Sequence, residues 1–319
     1  MQEQKSLHYI LGASLAVIAV FVVVALVMIN SQASDTQVTI NNVAPSVADV
    51  YLADSAYEQA FFYSGTGFGV INDLSAGSTI TRYVTGTVED LNGNGDIATV
   101  TATLYRSGVT DGHSCTADKN SCYRVTSCEL QTNGNDDQKD FSCEMALNYF
   151  MDSTDVGGRY SAQNWVIYVT VSDGTANGSD EAKTGEVSTL LALSIPGSIG
   201  YGTLALGATT TSSTNQIMTI TQTGNDEADV EVSSSTAMGC TVRGLIPVAS
   251  QQWSLTDVDY SAEGTTALSG SAADTALNVG YQDDEATAPT KSLYWNISIP
   301  SSGVEGVCTG ADTVTAIAH

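Results

Sequence analysis

The sequence predicts an all-β protein, two tandem β-sandwiches that follow one N-terminal transmembrane helix. Three observations carry this reading. Residues 10–29, ILGASLAVIAVFVVVALVMI, contain no charge, and a helix of that length is about 30 Å long, the thickness of a bilayer's hydrocarbon core. Beyond them Thr, Val, Ile and Tyr alternate with polar residues, and clusters of Gly, Asn, Asp and Ser break the runs at short intervals, the period and punctuation of strands. No capped apolar stripe of helical period comes after the first one, which argues against α/β folds and their nucleotide sites.

The elements are taken in chain order. Residues 1–9 carry Lys5 against Glu3, and Lys and Arg are then absent until Arg82. The positive-inside tendency therefore leaves residues 1–9 in the cytoplasm and exports the chain beyond residue 29. Residues 10–29 are then a membrane anchor in a single-pass protein of the cell membrane. The alternative is a signal peptide, with secretion after cleavage behind Ala33, because Ser31-Gln32-Ala33 has a small-x-small pattern; the length of the run favours the anchor. A linker, 30–41, leads to a first sandwich at 42–194, whose strands include Thr79–Val88, Ile97–Tyr105 and Asn164–Val171. Ile195-Pro196-Gly197 stops helix and ladder alike and opens a second sandwich at 195–319. There, residues 215–232 read as strand, Thr-Gly-Asn turn, strand. The last strands are Ser292–Ile299 and Ala311–Ile317.

The stretch VTGTVEDLNGNGDIATVTATLYRSG, Val84–Gly108, together with WVIYVTVSDGTANG, Trp165–Gly178, resembles immunoglobulin-like modules of the PKD and cadherin-like kind on prokaryotic surface proteins. Gly200–Asp226, with the late Gly306-Val307-Cys308-Thr309-Gly310, resembles β-sandwich modules that end bacterial and archaeal envelope proteins. The resemblance implies two immunoglobulin-like sandwiches with a structural or adhesive role, and it brings no catalytic residues with it.

Six cysteines lie beyond the apolar run, which suits an oxidising compartment. The spacings contain no C-x2-C pair and no nearby histidine pair, so disulfides are favoured over zinc. Proximity favours Cys115–Cys122 and Cys128–Cys143 and leaves Cys240–Cys308. The net charge is −25, and only Glu3 and Lys5 precede Asp35, so the imbalance belongs to the exported part. Such a field excludes a nucleic-acid partner and attracts divalent cations or basic partners.

The sharpest chemical motif is Asp90-Leu91-Asn92-Gly93-Asn94-Gly95-Asp96. Ca²⁺ takes about six to eight oxygen ligands, and Asp90, Asn92, Asn94 and Asp96 place four candidates at alternate positions. The twelfth position is Thr101 rather than Glu, so an EF-hand is excluded. The favoured reading is an ion-free Asn-Gly-rich hairpin turn, with a calcium loop of another kind, completed by Glu89 or by Asp173 and Asp180, as the alternative. Asn133–Asp140 and Asp283–Glu285 read as solvated acidic loops. Asn177 and Asn296 begin N-x-S sequons and are candidate glycosylation sites.

Catalysis has little material. His8, His113 and His319 lie far apart in the chain, there is no G-x-S-x-G elbow, and Gly65-Thr66-Gly67-Phe68-Gly69 lacks a dinucleotide loop's spacing. Trp165, Trp253 and Trp295 read as core. The expectation is a non-enzymatic extracytoplasmic structural or adhesion protein of the cell envelope. Its partners would be the membrane through residues 10–29, and other envelope proteins, glycans or itself. One alternative is a pilin-like filament subunit, which the absence of a type IV pilin processing site opposes. Another is a carbohydrate-binding module or accessory factor of an envelope enzyme, which predicts exposed aromatic platforms.

Overall fold

In the computed structural model residues 35–59 and 67–319 are described. The apolar run 10–29 and the motif at Ser31–Ala33 lie outside them, so the anchor and its cleavage are not addressed by the fold. Among the described residues no helix is long and apolar enough to cross a membrane. The chain divides into two units, Met1–Asn42 and Val43–His319. In the first, Asp35–Asn42 is exposed and has no regular structure.

The second unit is all-β, and its strands fall into two halves. The first half contains β1 (Ser46–Ala53), β2 (Gly69–Ile71), β3 (Thr79–Glu89), β4 (Thr99–Arg106), β5 (Cys122–Val125), β6 (Glu129–Thr132), β7 (Gln138–Asn148), β8 (Trp165–Ser172) and β9 (Asn177–Val187). They form a four-stranded sheet, β1-β3-β7-β6, and a five-stranded sheet, β2-β9-β8-β4-β5. Alternation decides which face is buried. In β8, Trp165, Ile167, Val169 and Val171 point inward and Val166, Tyr168, Thr170 and Ser172 do not. These side chains join Val100 and Leu104 of β4 and meet Val84, Val88, Phe141 and Leu147 from the other sheet in one core. β2 is a short parallel partner of β9, with Gly69 opposite Gly185. Gly185 has a packing reason, since a Cβ there would overlap the ring of buried Phe68.

The second half contains β10 (Leu193–Ser194), β11 (Gln216–Gln222), β12 (Ala228–Ser233), β13 (Met238–Cys240), β14 (Leu245–Ile246), β15 (Gln251–Ser254), β16 (Thr266–Ala267), β17 (Ala273–Asp274), β18 (Thr290–Ile297), β19 (Cys308–Thr309) and β20 (Thr313–Ala318). Its sheets are β10-β11-β18-β15-β16, β17-β12-β20 and β14-β13-β19. Ile220, Val230, Val232, Val279, Leu293 and Trp295 form a core separate from the first.

Two expectations change here. β10 pairs with β11, Leu193 opposite Gln222, so the crossing between halves falls before residue 193 rather than at 194/195. β11 and β12 are not a hairpin, because they belong to different sheets. The Gly-Asn residues between them do not make a tight reversal. The Asn225 side chain is committed to backbone groups before residue 193 instead.

Three disulfides close, and they are the pairs that proximity favours: Cys115–Cys122, Cys128–Cys143 and Cys240–Cys308. Cys128–Cys143 lies within the first core. Cys240 and Cys308 are register partners on β13 and β19. His113 lies just ahead of the Cys115–Cys122 loop and stacks on Tyr168, ring centroids 3.9 Å apart.

Candidate functional site

The two ends of the first half differ in chemistry. One end is made by the loop between β3 and β4, the turn between β8 and β9 and the loop between β6 and β7. β3 delivers Asp90 to this end, and the chain then crosses from one sheet to the other through Asn92–Ala98. Asp90 N–H donates to the Asp137 carbonyl at 2.8 Å, and Asn94 N–H to the Asp136 carbonyl at 2.7 Å. The Asn94 amide also donates to the Asn135 carbonyl at 2.6 Å. The structure thus brings together two acidic loops that the sequence separates, Asp90–Asp96 and Asn133–Asp137. Lys139 Nζ donates to the Ile97 carbonyl at 3.2 Å and sets one cation beside them.

The four proposed calcium ligands have different positions. Asp90 is 1 % exposed, and its Oδ1 accepts the Asn92 N–H at 2.8 Å. Its Oδ2 is buried and meets no donor among the described residues. A buried carboxylate oxygen without a donor costs about 1–3 kcal/mol, more for a charged group, and a cation would relieve it. Asn92 Oδ1 accepts the Val43 N–H at 2.6 Å, holding the entry strand to the loop. Asn94 is turned toward Asn135, and Asp96 is exposed. Of the suggested completing ligands, Asp173 Oδ1 accepts the Thr175 and Ala176 N–H groups of its own turn, both at 2.6 Å, and Glu89 sits opposite Gln138. Among the described residues no three His, Cys, Asp or Glu side chains gather as a metal site.

The sequons separate. Asn177 is exposed at the start of β9. Asn296 is fully buried in β18, its Oδ1 accepting from Thr210 Oγ1 at 2.8 Å and its amide donating to the Val258 carbonyl at 3.1 Å. Both ends of that amide are used inside the core.

The other end of the first half meets the second half, at residues that the sequence reads only as a Thr-Gly-Asn turn and a solvated acidic loop. Asn225 is its centre. It is 3 % exposed, its Oδ1 accepts the Leu190 N–H at 2.6 Å, and its amide donates to the carbonyls of Met151 and Ser188, both at 3.0 Å. Beside it Asp226 Oδ2 accepts from Ser153 Oγ and from the Arg159 N–H, both at 3.1 Å. The Arg159 guanidinium stacks on Tyr281, 3.2 Å from the ring centre, a cation–π contact that adds Coulomb attraction to apolar area. Tyr149 hydroxyl donates to Gln282, and Lys119 pairs with Glu285. Gly77 N–H donates to the Thr223 carbonyl at 2.9 Å.

Behind this junction lies a buried ion pair, Arg106 Nε to Asp152 Oδ2 at 2.7 Å, with Arg106 stacked on Tyr160. Burial pushes the Asp152 carboxyl above the usual carboxylate range, against the opposing pull of Arg106. Trp165 Nε1 donates to the Asp152 carbonyl at 2.9 Å and ties the pair to the core. Trp165 and Trp295 are fully buried and Trp253 is 7 % exposed.

No family model matches the chain. No curated protein matches it in sequence. Among solved structures it is similar to the C-terminal domain of the AgI/II polypeptide BspA of Streptococcus agalactiae, at 8 % identity over 84 % of this chain and 98 % of that one, with a TM-score of 0.18.

Proposed function

We propose that this chain is an extracytoplasmic structural or adhesion component of the cell envelope, anchored through residues 10–29, built from immunoglobulin-like sandwiches and without catalytic activity. The observation that carries the reading is the Asn225 junction. A spacer that presents one loop cluster away from a membrane needs its modules joined at a fixed angle, and directional hydrogen bonds to buried backbone groups supply that. The three disulfides suit an oxidising exterior. Calcium at the Asp90 loop belongs to the same reading, and the unpartnered Asp90 Oδ2 supports it. In this arrangement Asp90 and Asp96 would supply carboxylate oxygens, and the ion would stiffen the end at which the chain enters the first half from its anchor. The buried tryptophans supply none of the exposed platforms that a glycan-binding module needs.

The test is external protease treatment of intact bacterial cells expressing the full chain with an N-terminal tag. Loss of the part beyond residue 34, with a short tagged fragment kept in the membrane fraction, supports the proposal. An intact, protected chain with reduced cysteines in the cytosol overturns it.

A further inference from the structure

The second half is open on one side. Among the described residues β20 pairs only with β12, so its outer edge has no ladder partner there along Thr313–Ala318. β11 faces the same side, and β10 covers only its last two residues. Between these edges lies a groove of about 390 Å³, lined by Ile195, Ile199, Tyr201, Met218, Asp312 and Val314 among others. Ile195–Leu204 crosses this side as an irregular segment, and among the described residues no backbone hydrogen bond ties it to either edge. The Tyr201 hydroxyl is buried there and meets no partner among the described residues. An unpaired edge, an apolar groove and an orphaned hydroxyl together lack one thing, an added strand whose peptide groups complete the ladder and whose alternate side chains fill the groove.

The chain carries a segment of that description. Thr36–Asn42, TQVTINN, is uncharged and alternates, with Val38 and Ile40 on one side and Gln37, Thr39 and Asn41 on the other. Val38 is 82 % exposed and Ile40 78 %, an unusual state for two β-branched residues at strand spacing. Covalent reach says whose groove it can enter. Val38 lies five residues before Val43, about 17 Å of fully extended chain. Val43 is held by Asn92 at the Asp90 end, and β3, with 11 residues, puts about 36 Å between that end and the junction. The groove lies beyond the junction, so the segment that reaches it comes from another molecule.

We propose that Gln37–Asn41 of one copy adds as a strand to the open edge of β20 in a second copy, Val38 and Ile40 entering the groove and a peptide group meeting the Tyr201 hydroxyl, so that copies link head to tail. The proposal deepens the envelope reading by making the partner the chain itself, but its test reads assembly and not location. Because each copy carries a charge of −25 while the segment itself is neutral, screening by salt strengthens the linkage.

The experiment places a photo-crosslinking residue at Val38 in full chain bearing one tag, mixes it in detergent with full chain bearing another tag, and maps the products by mass spectrometry. Cross-links to residues 195–201 or 313–318 of the other tag are expected, with higher yield at higher salt. Ser198→Trp, an exposed change that fills the groove, and Ile40→Asp should each lower the yield by about tenfold or more, the second because a carboxylate would be buried without a partner. Cross-links confined to the same chain, cross-links to another surface, or no cross-links would overturn the proposal.

Discussion

Asn225→Ala tests the junction at its most connected side chain. The substitution removes one acceptor and two donors, leaving the Leu190 N–H and the carbonyls of Met151 and Ser188 without partners in a site that is 3 % exposed in the native protein. A buried group left unsatisfied costs about 1–3 kcal/mol, and water entering the smaller side chain's space holds each to the low end. The sum is about 3 kcal/mol, or roughly 100-fold in the equilibrium for opening the junction. Hydrogen exchange read by mass spectrometry on the full chain in detergent measures that equilibrium locally. Peptides covering 188–193 and 222–227 should exchange about 100-fold faster in the variant, while a peptide covering β8 keeps its protection. Asn225→Asp is the sharper control, because it keeps the acceptor for Leu190 but loses both donors and sets a carboxylate against two carbonyls. It should open the junction at least as far as alanine does. An acceleration below about tenfold for alanine, or native protection in the aspartate variant, would refute the claim that these bonds hold the halves together.

Three further outcomes are expected. Ca²⁺ at about 100 times its dissociation constant should stabilise the full chain by about 2.7 kcal/mol, read as a rise in melting temperature that chelator reverses and Asp90→Asn abolishes; equal shifts in both proteins would remove calcium from the Asp90 loop. Gly86→Ala should destabilise by about 1–3 kcal/mol in denaturant titration, since its Cβ would overlap the Asp49 carbonyl and lie 2.9 Å from the Phe141 ring; native stability would contradict the β1–β3 packing. Burial raises the Asp312 carboxyl, so the folded state keeps that proton to higher pH than the unfolded state does. The stability this group contributes is present below the unfolded carboxylate range and is lost as pH rises through the raised folded value. Asp312→Asn should therefore melt above the native protein at about pH 7 and converge with it near pH 4, and a difference independent of pH would refute the assignment.

What the sequence reveals depends on whether a residue's role is local. β3, β4 and β8 are legible because β-branched and aromatic residues alternate with others in each run, although burial itself alternates only in β8, and the observed bounds differ from the predicted ones by at most two residues. The parallel strand β2 is not legible, since three residues are too few to show a period and its partner β9 lies more than a hundred residues away. Thr223-Gly224-Asn225 looks like a hairpin turn because Gly and Asn favour such turns. The same asparagine amide that suits a turn also bonds buried backbone at a distance, and here the distant use wins. At the acidic end Asp90 stands out by motif, whereas its neighbours Asp136 and Asp137 read as plain solvated loop. They reach it through backbone carbonyls, and a carbonyl leaves no mark in the sequence.

The chemistry of the junction also explains how a chain of charge −25 holds its two β halves as one unit. Each half already buries its own aliphatic and aromatic side chains, so docking does not depend on a large exposed apolar face that would aggregate beforehand. The contacts between halves are instead an amide, a carboxylate that accepts the Arg159 backbone N–H, two tyrosines, a glutamine and two of the few cations, Arg159 and Lys119, set against Tyr281 and Glu285. Contacts of this kind add little net free energy each, but every one fixes a direction. A joint made from apolar area tolerates sliding, whereas loss of register by one residue at this junction would leave Asn225 facing the wrong carbonyls. The angle between the halves is thus set by hydrogen-bond geometry, which an acidic surface permits.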